Sequence, residues 1–487
     1  MPTGYDVIIV GAGSAGCALA HRLSADPARR VCLIEAGGSD DRDDVRQPNL
    51  TGSLWGSDVD WQYRSTPQSG AHGRRLPMPR GKVLGGSSSI NGNVYLRGAA
   101  ADYDRWERLG ATGWGWDAVR PDFDALEALL RPAYPETHHP LSEAMLEAAF
   151  QAGHPANSDF NTGRLEGAGW NRLTVHQGMR MNAHRAFVTP IRHRPNLTVL
   201  PETQVTKILL EGHRAVGVRA RRDGSTEDLH ADEVVLSAGT YDSPRLLLLS
   251  GIGPSEHLTS LGIDVTADLP VGDNLTDHLF TSIVVTARQP ISDRNAYLVE
   301  GCVFARSTPD APTPDLEIPF GKIPRFTPSI AGDAPCFVIY PCLTFPRSRG
   351  TVRLAANDPD VPSVIDVACL QDSADLRAMV TAVRIARNIV AQSALDPWRA
   401  EEAVPGPAAE SDEAIADHLR ATVNPWFHPT GTCKMGQGSD AVVAPDLRVR
   451  GISGLRVADA SVIPDTVSAN TNAASMLIGW RAATFFA

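Results

Sequence analysis

Hydrophobic residues along the 487-residue chain fall into runs of different period. Residues 6 to 10, in YDVIIV, form an almost unbroken apolar run, which predicts a buried strand. A glycine-rich turn follows, and GCALAHRLS then has the spacing of a helix. RVCLIEAGG reads as a second strand. Residues 196–222 alternate over short stretches, predicting strands joined by a turn at Glu211-Gly212. ADEVVLSAGTYDSPRLLLLSG reads as a strand, a break at Ala238-Gly239 and a helix. Beyond residue 280 the pattern changes. TSIVVTARQ, CFVIYPCLTF and GTVRLAA are strand candidates, and residues 374–395 set Met379, Val380, Val383, Ile385 and Val390 at helical spacing. Prolines crowd the stretch from Pro309 to Pro335, predicting irregular loops. The expected second half is an antiparallel sheet backed by helices, with no internal repeat.

Composition narrows the classes. The length predicts two domains or one elaborated domain. Apolar residues at 43% and charged residues at 21% are a globular balance. The net charge is −11 and no Lys/Arg-rich block is present, so a nucleic-acid partner is not expected. The seven cysteines are scattered and include no CxxC pair, which argues against a metal site or a disulfide framework and predicts a reducing, cytoplasmic setting. The first strand begins near Tyr5, leaving no room for a signal peptide, and no apolar run reaches the roughly 20 residues of a membrane span. Oligomeric state is not legible.

Gly11, Gly13 and Gly16 form GxGxxG between the first strand and the first helix. The first glycine permits the tight turn, the second lets backbone approach a pyrophosphate, and the third lets helix and strand pack closely. The helix N-terminus offers N–H groups and a positive dipole end to the phosphates. Glu35, at the end of the second strand, can accept from ribose hydroxyls and would repel a 2′-phosphate, so NADP is disfavoured. This unit alone does not separate NAD from FAD, and a plain structural βαβ unit is the competing reading.

Residues 81–98, GKVLGGSSSINGNVYLRG, gather small residues around Gly85, Gly86, Ser87, Ser88 and Asn91, so that backbone can lie flat against a planar ring. This stretch resembles the first signature of the glucose–methanol–choline (GMC) oxidoreductases. Residues 239–253, GTYDSPRLLLLSGIG, resemble the second. HPTGTCKMG and RVADASVIPDTVSANTNAASMLIGW resemble the C-terminal catalytic segment of that family. The resemblance extends to its choline dehydrogenase-like and hydroxymethylfurfural oxidase-like bacterial members.

The resemblance implies a mixed α/β fold with a discontinuous Rossmann-like FAD-binding domain, at 1–100, 196–279 and 425–487. A substrate domain with the mainly antiparallel sheet is implied at 101–195 and 280–424. It also implies cofactor contacts. Ser14 and Ala15 adjoin the glycines, and Ala36 adjoins Glu35. Val83, Gly85, Gly86, Ser88, Asn91, Gly92 and Val94 belong to the first signature. Val205 is expected on the adenosine, Ala238 and Gly239 at the second return to the cofactor, and Asp459 and Ala460 at the ribityl or pyrophosphate. Thr471 and Asn472 are expected on the flavin. Some members attach the flavin to a His within the first signature. That position is Ile90 here, which implies dissociable FAD.

The implied reaction is oxidation of a primary alcohol to the aldehyde by hydride transfer to flavin N5, with oxygen, a quinone or an artificial acceptor taking the electrons. Hydride leaves an alcohol carbon readily only as the hydroxyl proton is removed, and His is the usual base near neutral pH. His428, between Pro425 and Pro429, matches the family's catalytic His, and Asn470 matches its partner in preference to Asn472. Trp426 and Phe427 adjoin His428 as candidate pocket walls, Cys433 reads as packing, and His278 in LPVGDNLTDHL reads as a hydrogen-bonded structural residue. No anionic cluster marks a choline site, which favours a small uncharged alcohol, aromatic or furanic. A choline-type dehydrogenase, an FAD-containing hydroxynitrile lyase, a pyridine-nucleotide dehydrogenase and a binding protein are the alternatives.

Overall fold

The computed structural model describes residues 4–292, 297–322 and 335–486. The first strand, β1 (Tyr5–Val10), leads through the glycine turn into helix α1 (Ser14–Leu23), and the chain returns as β2 (Val31–Ile34). β1 and β2 pair in parallel with Val7 beside Val31. Every residue of β2 is buried, as expected of a strand covered on both faces. Leu197–Leu200 adds in parallel outside β2, and Ser225–Leu236 adds in parallel on the other side of β1. That long strand changes partners midway. Its first half pairs antiparallel with Arg214–Arg222, which pairs with Gln204–Glu211 across the Gly212 turn, while its second half joins β1 and Leu455–Val457. The chain from near the C-terminus thus completes a sheet begun at residue 5.

A second, nine-stranded sheet is antiparallel at every pairing. The helix Ser373–Val390 lays Met379, Val383 and Ile389 against Ile318, Phe320 and Ile339 of that sheet, in a core separate from that of the parallel sheet. Leu279–Phe280 and Asn424–Pro425 pair with each other in this sheet.

Three expectations are corrected. The proline-rich stretch is not loop throughout, because Leu316–Gly321 is a wholly buried strand. Both faces are covered, so no alternation marks it, and Pro319 argued against a strand because it lacks an N–H. Positions 323–334 of that stretch lie outside the described residues. GTVRLAA forms Thr351–Arg353, which pairs with Val364–Asp366 in a separate ribbon and not in the large sheet. Helices Ala100–Arg108 and Trp116–Leu130, assigned above to the substrate domain, bury Tyr103, Trp106 and Phe123 in the core of the parallel sheet. Among the described residues, no helix is long and apolar enough to cross a membrane.

Candidate active site

One end of the site is made from backbone. α1 begins at Gly13 with no side-chain cap, so its first N–H groups are open to a ligand. Gly16 lets the helix close onto the turn: a Cβ there would lie 2.0 Å from the Gly11 carbonyl oxygen. The first signature docks on the same turn, the Gly85 N–H donating to the Ala12 carbonyl at 2.8 Å. Gly86, at φ +54°, presses against Gly13, where a Cβ would come within 2.7 Å of the Gly13 Cα. Glu35 accepts from the Ala12 N–H at 3.0 Å and the Gly37 N–H at 2.9 Å, while burial pushes its carboxyl up to about 7. Asp459 accepts from the Gly239 N–H at 2.9 Å and the Ser461 N–H at 2.8 Å, tying the C-terminal segment to the turn at Ala238-Gly239.

One cavity joins this cradle to the other end. It is lined by Gly11, Gly13, Ser14, Ala15, Glu35, Ala36 and Gly86, by Asn91, Gly92 and Val94, and by Val205, Ala238, Gly239, Asp459 and Ala460. Thr471, Asn472, Asn470, Trp426, Phe427 and His428 line it as well. Four expected contacts stand behind the wall. Gly16 packs the helix on the turn, Val83 is buried beside Leu54 and Ile90, and Gly85 hydrogen bonds the turn. Ser88 spends its hydroxyl on the Gly85 carbonyl and on the Ala183 N–H. Small size in this loop therefore serves loop packing as much as ligand approach.

At the far end the helix Thr471–Ala482 and residues 424–429 converge. Asn470 Nδ2 lies 3.0 Å from His428 Nε2. Asn472 instead accepts from the Ser14 hydroxyl at 2.7 Å. The prolines are not the sole constraint on His428. Its backbone N–H donates to Asp277 Oδ1 at 2.7 Å, the Trp426 N–H donates to the His278 carbonyl at 2.7 Å, and Arg80 donates to the Phe427 carbonyl at 2.6 Å. Phe427 is held at φ +65°, an uncommon conformation for a bulky residue, which these bonds sustain. His428 Nδ1 lies 2.9 Å from His278 Nδ1. Burial holds the His428 imidazole well below the usual range, reinforced by His278 and Arg80. Burial also pushes Asp277 up to about 7 and His278 down to about 3. The sequence did not reveal the parts of Asp277, Arg80, Trp55 and Trp61, the last three of which line the cavity. The Asp-His pair at 277–278, 150 residues before His428, was the one available signal.

A glycine cradle on a parallel sheet, open through one cavity to a neutral imidazole and an amide, defines a nucleotide-cofactor oxidoreductase. Two family models described as GMC oxidoreductase match residues 5–280 and 346–479. The chain is 38% identical to an oxygen-dependent choline dehydrogenase of Sinorhizobium fredii, over 98% of this chain and 94% of that protein. It is 36% identical to an alcohol dehydrogenase [acceptor] of Pseudomonas putida, over 98% and 95%. The solved structure of pyridoxine 4-oxidase from Mesorbium loti superposes with a TM-score of 0.92 at 31% identity, covering 99% of each chain. The chain belongs to the GMC oxidoreductase family.

GMC oxidoreductases are FAD-binding flavoproteins, and the residues present fit that group. Asn472 Nδ2 and Asn470 Oδ1 are buried with no partner among the described residues, on residues that line the cavity. Buried polar atoms are rarely left unpaired, so both are suited to a ligand. The uncapped start of α1 suits a pyrophosphate, and the absent side chain at Gly86 keeps the cradle shallow.

Proposed function

We propose that the protein oxidises a primary alcohol to the aldehyde, with His428 as the base and Asn470 as the hydrogen-bond donor to the substrate oxygen. The observation that carries this reading is the 3.0 Å approach of His428 Nε2 and Asn470 Nδ2 in the cavity that contains the glycine cradle. Bound FAD supplies the two-electron acceptor. His428 is kept neutral by burial, so its lone pair is available to the hydroxyl proton. Asn470 donates to the oxygen as negative charge grows there, without itself titrating. Their 3.0 Å separation supports a reading in which both reach one substrate oxygen.

Cofactor contacts from Gly11, Gly13, Ser14 and Ala15 on the pyrophosphate, Glu35 on the ribose, Val205 on the adenosine and Asn472 on the flavin belong to the same proposal. So does the two-domain division, with helices Ala100–Arg108 and Trp116–Leu130 counted on the cofactor side. Ile90 lines the cavity and offers no nucleophile, which supports FAD held without a covalent bond. Acid precipitation should then leave the pellet colourless and the supernatant yellow.

The substrate reading is a small uncharged alcohol. Trp55, Trp61, Trp426 and Phe427 wall the cavity. The acids that line it are committed to the chain: Glu35 and Asp459 as described, and Asp242 to the Tyr63 hydroxyl at 2.7 Å. Arg80 adds a cation beside His428. A choline-type substrate is the second reading. It is supported by the identity to choline dehydrogenases and by the aromatic walls, which also suit a quaternary ammonium.

The test is anaerobic flavin reduction. An uncharged aromatic alcohol should bleach the flavin faster than choline at equal concentration, and choline prevailing would replace the first substrate reading with the second. His428→Ala should retain flavin and slow its reduction by roughly 10²-fold or more. Unchanged reduction in that variant would falsify the mechanism, and turnover without bleaching would indicate a lyase.

A further inference from the structure

His428 has two ring nitrogens, and only a bare Nε2 can take a proton from a substrate bound beside Asn470. We infer that His278 is a positioning residue that sets this tautomer: it holds the His428 proton on Nδ1 and leaves Nε2 free. This rests on the reading of His428 as the base.

The argument begins at the far side of His278, which is wholly buried. Its Nε2 lies 3.0 Å from the Val467 carbonyl oxygen and 3.0 Å from the Thr466 hydroxyl. A carbonyl only accepts, so Nε2 must carry hydrogen; a bare nitrogen there would set two lone pairs against each other. The Thr466 hydroxyl can take either role and does not oppose this. A neutral ring protonated at Nε2 has its lone pair at Nδ1. The group facing that lone pair is His428 Nδ1, at 2.9 Å, with the two rings at 85° to one another. Two bare nitrogens at that separation would repel, so His428 Nδ1 carries the hydrogen and donates it. His428 Nε2 is then bare, and the Asn470 amide presents its Nδ2 donor to it at 3.0 Å. Val467, His278, His428 and Asn470 form one chain of donors and acceptors with a single consistent direction.

The opposite direction would need a second proton on His278, which would then donate through Nδ1 and drive the His428 proton onto Nε2. Burial holds the His278 ring down to about 3, which disfavours that second proton at pH 7. The other groups facing His428 leave the assignment intact. Asp277 Oδ1 takes the backbone N–H, Arg80 holds the preceding carbonyl, and the Trp426 ring stands 6.4 Å away. His278 thus does for His428 what a buried carboxylate does for the imidazole of a serine hydrolase, with a neutral acceptor in place of an anion.

Two measurements test this. In flavin-loaded protein with ¹⁵N-labelled histidine, the two signals lost in His428→Asn should be a pyridine-type nitrogen at Nε2 and a pyrrole-type nitrogen at Nδ1. The reverse assignment, or two averaged signals, would overturn the inference. In kinetics, His278→Leu removes the acceptor, whereas His278→Asn sets a carbonyl oxygen near the position of Nδ1. His278→Leu should slow flavin reduction at saturating alcohol by about 10²-fold, within the roughly 10⁴-fold known for a wrong tautomer. Its apparent Kd for the alcohol should move less than about threefold, since the loss lies in the chemical step. His278→Asn should recover most of the rate. A wild-type rate in His278→Leu, or equal slowing in both variants, counts against the assignment. Should the leucine variant fail to fold, the spectrum of the unmodified protein decides. A reversed tautomer together with a slow His428→Ala would refute this inference alone, whereas a fast His428→Ala would refute the reading beneath it.

Discussion

The two ends of the cavity are built from different materials. The cradle end is backbone: three glycines of the first turn, the Gly85-Gly86 loop docked on them, and an uncapped helix start. The other end is side chains: an imidazole, an amide and aromatic rings held by partners distant in sequence. A site made of backbone fails when an atom is added, and a site made of side chains fails when one is removed. The first kind of failure should abolish cofactor binding; the second should leave the cofactor bound and idle.

Gly86→Ala is the strongest way to break this contrast, and its effect should be the largest. The new Cβ would lie 2.7 Å from the Gly13 Cα, at a φ of +54° that disfavours any side chain. The protein should purify with little or no flavin, read as the flavin-to-protein absorbance ratio. Gly13→Ala is the internal control on sterics. Its nearest neighbour outside the turn is the Gly86 Cα at 3.9 Å, so this chain should fold normally while flavin binding weakens through crowding of the ligand alone. Full flavin content in Gly86→Ala would show that backbone approach does not limit the cradle.

At the other end, Asn470→Ala should keep its flavin and reduce it about 10²-fold more slowly, the usual cost of losing one donor to a developing oxyanion. Combined with His428→Ala, the loss should be much smaller than the product of the two if, as proposed, the adjacent residues act on one substrate oxygen. Stopped-flow reduction of the four proteins measures both points. Multiplicative losses would mean that the two side chains serve different steps.

The difference in material also explains what the sequence disclosed. A backbone site needs residues defined by what they lack, and glycines at fixed spacing announce it, so GxGxxG and the Gly85-Gly86 loop are legible in the sequence. His428 and Asn470 were legible only through resemblance to a family, since one His among 14 carries no mark of its own. His278 was read as a structural histidine, and the hydrogen bond that gives it a role spans 150 residues. Local pattern cannot encode such a contact. The buried strand Leu316–Gly321 escaped for a related reason: burial on both faces removes alternation, and Pro319 imitates a loop. Trp55 and Trp61 became pocket walls only when the fold brought them into one cavity with Phe427 and His428.

The contrast extends to pH, and here the expected effect is smallest. Burial raises Glu35 in the cradle to about 7, above its ordinary value near 4.5, so the folded chain holds that proton more tightly than the unfolded one. Its contribution to stability is therefore complete below about 4.5 and fades as pH rises through about 7. His278, lowered to about 3 from 6.5, has the opposite sign: its contribution is present above about 6.5 and fades as pH falls toward 3. Glu35→Gln replaces the titrating acid by a neutral group that keeps one acceptor for the Ala12 or Gly37 N–H. At matched flavin content its Tm should match wild type near pH 5 and exceed it at pH 8.5 by on the order of 2 °C, small because a single group acts in a chain of this size. His278→Asn should show its relative gain on the acid side instead. Gains for both variants on the same side of neutrality would mean that the two ends do not differ in the sign of their titration, and the contrast would then be one of construction alone.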